Sequence, residues 1–488
     1  MATQRPDIPG YYFDPVTGRY YKIEKSGTAP ANAAWSADNV KKRRLQDKKS
    51  AAAVHRRNLT KKRVTRSEAL KNPLIAGFLD RHIGHARPDL PAAAFASGML
   101  EKGQMPLLDT RWSSRSATVK HMYIGGQDLK TGLCTAWVSM DEMNLLSTYI
   151  PRDRNSRIHR QLLANYPTPQ NRIAPYAEMM IPQLSDIKYH GGKNLMFITS
   201  RVPGRHVTLW VFSPAVSAPE DRLPHWILGS QGTQGFIQLQ LRGGGALAQA
   251  NCVTPAPGND VAAALVGTSQ GLAQFVGSDG RDLRWVTPRK HQPRGSLFRD
   301  IFAVSYQHGS SSNMLFGGRP GKLITGDCRV EQGKWDCLEL PSPIAHIRSL
   351  NEHQALVAGL NNHMAVYDLR FIRRAPDEGT AYRANNRAPV TVFDNYRNAA
   401  HCDLGFDYDR ETGIVAAGND NRTMRLYSVR SGRRLPSPCV DSIVSRHGVI
   451  HSIQFQKFPG DIMPTLFVGV GSNINAYALG IENIGDEV

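Results

Sequence analysis

Two glycine-framed turns, six cysteines and 16 histidines are the places where this 488-residue chain could do chemistry. Residues 267–271, GTSQG, have the G-x-S-x-G spacing of a hydrolase nucleophile elbow. An elbow needs a strand before the serine and a helix after it. Here the chain continues as the apolar run LAQFV, so Ser269 reads as a turn between two strands. Residues 317–322, GGRPGK, resemble a phosphate loop. The glycine spacing is short by one, however, and Leu323 stands where a magnesium-binding Ser or Thr is required, so this too reads as a turn. Cys134, Cys252, Cys328, Cys337, Cys402 and Cys439 are scattered with no C-x-x-C pair, which predicts free thiols and no metal site. His346, His401 and His451 read as neutral, hydrogen-bonded residues at strand positions. No carboxylate pair stands out, so the sequence predicts no catalytic residues, no cofactor and no enzyme.

A different pair of residues repeats. MLFGGRPGKLITGDCR (314–329) and ALVAGLNNHMAVYDLR (355–370) both carry an apolar run, a turn and a second run, and both end in Asp-x-Arg. The two arginines, Arg329 and Arg370, are 41 positions apart, so the ending belongs to a repeated unit. Asp327 and Asp368 can bind turn groups within their own unit, while a planar, multi-donor guanidinium two positions on can face a partner.

The elements that must position these residues follow from the texture of the chain. From about residue 105, short alternating or apolar runs are punctuated by Gly, Asn, Asp and Pro, the pattern of an all-β protein. A strand such as GVIHSIQF or SPIAHIRSL is followed by an apolar strand with small residues, a tight turn and a third strand with an aromatic near its end. Seven third strands align: LCTAWVSM, VTLWVFSP, LAQFVGSD, KLITGDCR, MAVYDLRF, MRLYSVRS and INAYALGI. Repeats of three to four strands bury their faces only by stacking, so residues 105–488 are expected to form a seven-bladed WD40-type β-propeller. The last unit stops after its third strand, and MPLLDTRW (105–112) is expected to supply the missing outer strand and close the ring.

Ahead of the propeller lie three segments. Residues 1–30 hold IPGYYFDPVTGRYYKI, two aromatic strands around a turn. A lone hairpin is marginal in water, so its tyrosines should pack on the protein or on a partner. Residues 31–71 are a basic, flexible segment with 12 Lys and Arg and one acid between Lys41 and Arg66. Lys41, Lys42, Arg43, Arg44 and Lys61, Lys62, Arg63 read as a nuclear-import signal, as weak nucleic-acid contacts through phosphates, or as a solvated linker. Residues 1–72 carry 17 basic against 6 acidic residues, more than half of the formal charge of +19. Residues 72–104 read as a helical segment. Asn72 and Pro73 open a helix whose Leu74, Ile75, Phe78 and Leu79 share a face, and a second short helix follows Pro91 through AAAFASGML. No apolar signal core and no membrane span are expected, and the scattered thiols together with the basic clusters place the protein in the nucleus, with cytoplasmic residence also open.

The paired endings resemble the signature of WD-repeat substrate receptors of cullin-4 RING ubiquitin ligases. The N-terminal aromatic motif with its basic follower, ETGIVAAGNDNRTMRLYSVRSGRRLPSP, and LFVGVGSNINAYAL are similar to segments of that family as well. The resemblance implies a non-catalytic receptor in which Asp327, Arg329, Asp368 and Arg370 contact the ligase adaptor, damage-specific DNA-binding protein 1. It also implies that the helix with Leu74, Ile75, Phe78 and Leu79 is a candidate adaptor helix, and that the propeller presents a protein substrate. The family has Trp before each Asp, whereas this chain has Gly326 and Tyr367, which predicts a weakened staple within those blades. A WD40 scaffold in a chromatin or RNA-processing assembly, using the basic head on nucleic acid, is the competing expectation.

Overall fold

A computed structural model describes residues 10–14, 19–24, 28, 33–42 and 45. It further describes 89–480 except 108–117, 127–132, 154–155, 159–175, 218–224, 230–232, 243–246, 259–261, 277–281, 288–299, 331–334 and 375–388. The candidate adaptor helix (Leu74, Ile75, Phe78, Leu79) and Arg43, Arg44, Lys61, Lys62 and Arg63 lie outside the described residues.

The chain divides into two compact units, residues 1–82 and 83–488. In the first, Tyr11–Asp14 and Arg19–Lys22 form the expected antiparallel hairpin. Within this unit Tyr20 packs on Phe13, while Tyr11 stays exposed. Tyr21 stacks on Trp35 at 4.5 Å, Glu24 bridges Ser36, and a helical stretch 37–42 follows with Val40 buried. The segment expected to be flexible from residue 31 is thus ordered over 33–42, because Trp35 supplies the apolar surface a two-stranded hairpin lacks. Lys41 and Lys42 are exposed at the end of that helical stretch.

The second unit is a seven-bladed β-propeller. Its blades are antiparallel sheets that run from an inner first strand to an outer fourth. The first strands are His121–Gly125, Leu184–His190, Ala250–Pro255, Ile301–Tyr306, Ile344–Ser349, Phe406–Asp409 and Ile453–Gln456. The third strands are Asn144–Pro151, His206–Val216, Leu272–Val276, Lys322–Asp327, Met364–Asp368, Met424–Ser428 and Asn473–Leu479. Six of the seven third strands are those the sequence pattern picks out. LCTAWVSM is instead the second strand of the first blade, Leu133–Ser139, whose side chains are all buried, so its apolarity mimics the other repeats.

Second strands hold apolar and small residues because they are covered on both sides by neighbouring blades. Gly317 and Gly469 mark the tightest approaches. A Cβ on Gly317 would sit 2.6 Å from Ile344 of the next blade, and one on Gly469 would sit 2.8 Å from Val119.

The ring closes by strand exchange between its ends. Met99–Pro106 pairs antiparallel with Asn473–Leu479 as the outer strand of the seventh blade. Closure falls where it was expected in kind, but six residues earlier than 105–112. The reason is the burial pattern: Met99, Lys102 and Met105 turn inward while Glu101 and Gln104 face out. Leu90–Ser97 is the predicted second helix. It ends at Gly98, so Met99 and Leu100 belong to the strand, and Phe95 and Ala96 are buried. Next to this seam, Arg152 of the first blade is buried against the seventh. Its guanidinium bonds Asp461 at 2.9 Å, Ser156 at 2.7 Å and Thr465 at 3.2 Å, and lies 4.5 Å from the Phe458 ring.

A chain starting at residue 89 should melt close to the full-length protein, whereas one starting at 108 exposes the edge of Asn473–Leu479 and should lose cooperative unfolding. Equal melting of the two would refute closure by residues 99–106. Asp461→Ala leaves the buried Arg152 charge unpaired and should cost about 3–5 kcal/mol in chemical denaturation.

Candidate interaction faces of the propeller

Each Asp-x-Arg ending is built the same way. The third strand stops at the aspartate, whose Oδ1 accepts the backbone N–H of the arginine two residues on, at 2.8 Å in one blade and 3.0 Å in the next. This turn takes both arginines out of the sheet, so they do not keep the strand parity a simple extension would give. Arg329 then folds back on Asp327, donating from Nε at 3.0 Å and from Nη2 at 2.6 Å, and Arg370 does the same to Asp368 at 3.0 and 2.6 Å. The guanidinium bond holds each carboxyl below the usual carboxylate range. The arginines stay open to solvent, with side chains 72% and 59% exposed. Two donors of each fork are fixed by the aspartate and the rest of its edge faces outward.

The two endings lie side by side. Beyond Arg329 the chain reaches the fourth strand of its blade, Asp336–Glu339, and beyond Arg370 it crosses back to that same strand, Arg373 pairing with Cys337 and Arg374 with Asp336. Each arginine is followed by an apolar residue left exposed, Val330 and Phe371. The Asp-x-Arg pattern alone did not single these two out, although the residue after each arginine carries the signal.

The staple expected to weaken at Gly326 is rebuilt from elsewhere. The Trp335 ring occupies the space beside Gly326, where a Cβ would come within 2.4 Å of it. Its indole N–H donates to the carbonyls of Asp327 and Val330 at 3.2 Å. In the next blade the hydroxyl of Tyr367 sits 3.0 Å from His363 Nε2.

The opposite face carries a second constellation. First and third strands of a blade run in the same direction, so the face where third strands end is opposite the face where first strands begin. On the latter opens a central channel with a cavity of about 150 Å³, among whose lining residues are Lys120, Lys188, Arg201 and Arg348 with Asp186 and Asp403. Lys188 pairs with Asp186 at 3.3 Å and Arg348 with Asp407 at 3.6 Å. His451 bridges Lys120 at 3.2 Å and Asp403 at 3.1 Å, and this bond together with the nearby charges holds the Asp403 carboxyl far below the usual range. Burial pushes the imidazoles of His121 and His346 down to about 3, and the charges of Arg201 and Lys188 at His121 and of Arg348 and Lys188 at His346 act in the same direction. His346 stacks on Phe406 at 4.8 Å.

His346 is thus on a strand as expected, whereas His451 lies two residues ahead of one and His401 is an exposed loop residue. Ser269 sits in the turn between Ala262–Thr268 and Leu272–Val276, its hydroxyl accepting the Gln249 N–H at 3.0 Å. Residues 319–321 are the turn between Asn313–Gly318 and Lys322–Asp327.

The sequence matches no protein-family model and no curated protein. Among solved structures, the WD40 β-propeller domain of Doa1 superposes with a TM-score of 0.46 at 9% identity, over 78% of this chain and 98% of that one.

Because the folded pKa of His121 and of His346 lies below the unfolded value near 6.5, unfolding takes up protons between about pH 6.5 and 3. The stability they support is complete above that window and falls with pH inside it, by about 2 kcal/mol each on reaching pH 5. His346→Leu should lose about 2 kcal/mol less than the parent between pH 7.5 and 5 in urea unfolding. Equal losses would contradict the assignment.

Proposed function

We propose that the propeller is a protein–protein interaction scaffold and, more specifically, the substrate-recognition subunit of a cullin-4 RING ubiquitin ligase. The observation that carries this reading is the pair of matching Asp-x-Arg endings in consecutive blades. Their guanidinium groups are pre-oriented by bidentate carboxylates and exposed on one face, each beside an exposed apolar residue. Interfaces are anchored by arginine and aromatic side chains held in place before binding. Arg329, Arg370, Phe371 and Val330 make such a patch. Its proposed partner is the ligase adaptor, damage-specific DNA-binding protein 1, because the paired endings resemble those of that receptor family. Among such receptors the aromatic N-terminal motif is most like that of damage-specific DNA-binding protein 1 and cullin-4 associated factor 4.

In this mechanism the chain supplies no catalytic group. The adaptor takes the face with the arginines, the opposite face remains open to a protein substrate, and ubiquitin transfer is promoted by proximity to the charged conjugating enzyme. The basic head, with Lys41 and Lys42, would direct the protein to the nucleus.

A second reading, a nuclear scaffold that touches nucleic acid through its head, is favoured by the 17 basic residues within 1–72. Affinity for the purified adaptor separates the two. Arg329→Ala/Arg370→Ala should lose about 2 kcal/mol or more with unchanged melting, and Phe371→Ala should weaken binding alone. A parent protein without measurable adaptor affinity would end the receptor reading and leave the scaffold.

A further inference from the structure

We propose that the mouth of the central channel is a binding site for a phosphate monoester, gripped by Arg201, Lys188 and Arg348. The proposal stands apart from the adaptor, since it concerns the face where the first strands begin.

Charge comes first. Four cations line the cavity against two carboxylates, Asp186 and Asp403. These carboxylates are already occupied: Asp186 accepts the N–H groups of Ile187 at 3.0 Å and Val253 at 3.1 Å besides Lys188, and Asp403 holds His451. Asp407, paired with Arg348 at 3.6 Å, also accepts the N–H of Phe455 at 2.8 Å, and counting it still leaves four cations against three carboxylates. Arg201 has no side-chain partner among the described residues, although it follows Leu195–Ser200 directly and lines the cavity. A partly buried guanidinium with no partner is costly unless an anion completes it.

The geometry is convergent. Lys188 and Arg201 come from the second blade, Arg348 from the fifth and Lys120 from the first. Lys188 lies on Leu184–His190, the inner strand of its blade, and lines the cavity. Nε2 of His121, on the lining, is buried with no hydrogen-bond partner, and in the tautomer that protonates it this neutral imidazole can donate to an oxyanion.

These donors reach the cavity from the first, second and fifth blades. A carboxylate presents two oxygens in a plane and is satisfied by one guanidinium, whereas a phosphate monoester has three terminal oxygens and nearly two charges. The cavity of about 150 Å³ is several times the space one ordered water needs, so it admits a phosphate with the first atoms of the group that bears it. Enclosure by seven blades favours a terminal phosphate over the continuous backbone of a nucleic acid.

Two sources share this chemistry, a phosphorylated side chain of a protein and a small phosphate metabolite. Isothermal titration of the full chain at physiological salt with inorganic phosphate, with the peptide Gly-Gly-phosphoSer-Gly-Gly and with its unphosphorylated form would decide. We expect binding of phosphate and phosphopeptide, none of the unphosphorylated peptide, and at least a roughly tenfold loss in Arg201→Gln, whose melting is checked in parallel. A phosphopeptide bound more tightly than inorganic phosphate points to a protein ligand, and equal affinity to a metabolite. Absence of phosphate-dependent binding in the parent, or unchanged affinity in a folded Arg201→Gln, overturns the proposal. Lys188→Met serves as the second variant should Arg201→Gln fail to fold.

Discussion

Everything in the propeller depends on the pairing of Met99–Pro106 with Asn473–Leu479. Seven twisted sheets around an axis leave one seam, and an open seam would present a bare strand edge and uncover two blade faces at once. The chain solves this by sending a strand from near the start of the second unit to complete the last blade, so closure is a contact between residues more than 360 positions apart. The buried Arg152–Asp461 pair beside it joins the first and seventh blades by charge as well as by packing. Until that contact forms, the first and seventh blades each lack a neighbour, and closing the seam couples the ends of what would otherwise be an open row of repeats.

Closure creates a second demand at the axis. The first strand of every blade is itself an edge, with backbone groups facing a channel too narrow for another strand. Polar side chains of the neighbouring blade serve as substitutes: Gln454 bonds both the N–H and the carbonyl of Ile124 at 2.8 Å, Thr254 donates to Val304, and Ser185 to Ala250. The channel is therefore polar by necessity. That polarity lets Lys120, Lys188, Arg201 and Arg348 stand where an apolar core would exclude them.

The same strand geometry separates the two faces. Antiparallel order carries each chain from the channel mouth to the far side along the first strand and again along the third. Residues at third-strand ends and residues at first-strand starts can thus never share a face. Arg329 and Arg370 occupy one side and the channel cations the other, so the proposed adaptor and the proposed phosphate ligand would not compete for surface.

The sequence by itself determined what is local or periodic. The aromatic hairpin, the strand grammar, the repeat number, the turn nature of Ser269 and of 319–321, and the Asp-x-Arg pair are set by side-chain alternation and turn chemistry within a few residues. It misjudged LCTAWVSM, because a second strand buried on both sides is as apolar as a third, and it began closure at 105, because burial on a seam depends on a partner hundreds of residues away. Trp335 beside Gly326, Trp35 on Tyr21 and the gathering of Arg201, Lys188 and Arg348 were decided only by the tertiary structure. Pattern records which face of a strand an individual residue takes, whereas these contacts join residues from different strands or blades, and nothing in their spacing encodes the rotation that brings them together around the axis.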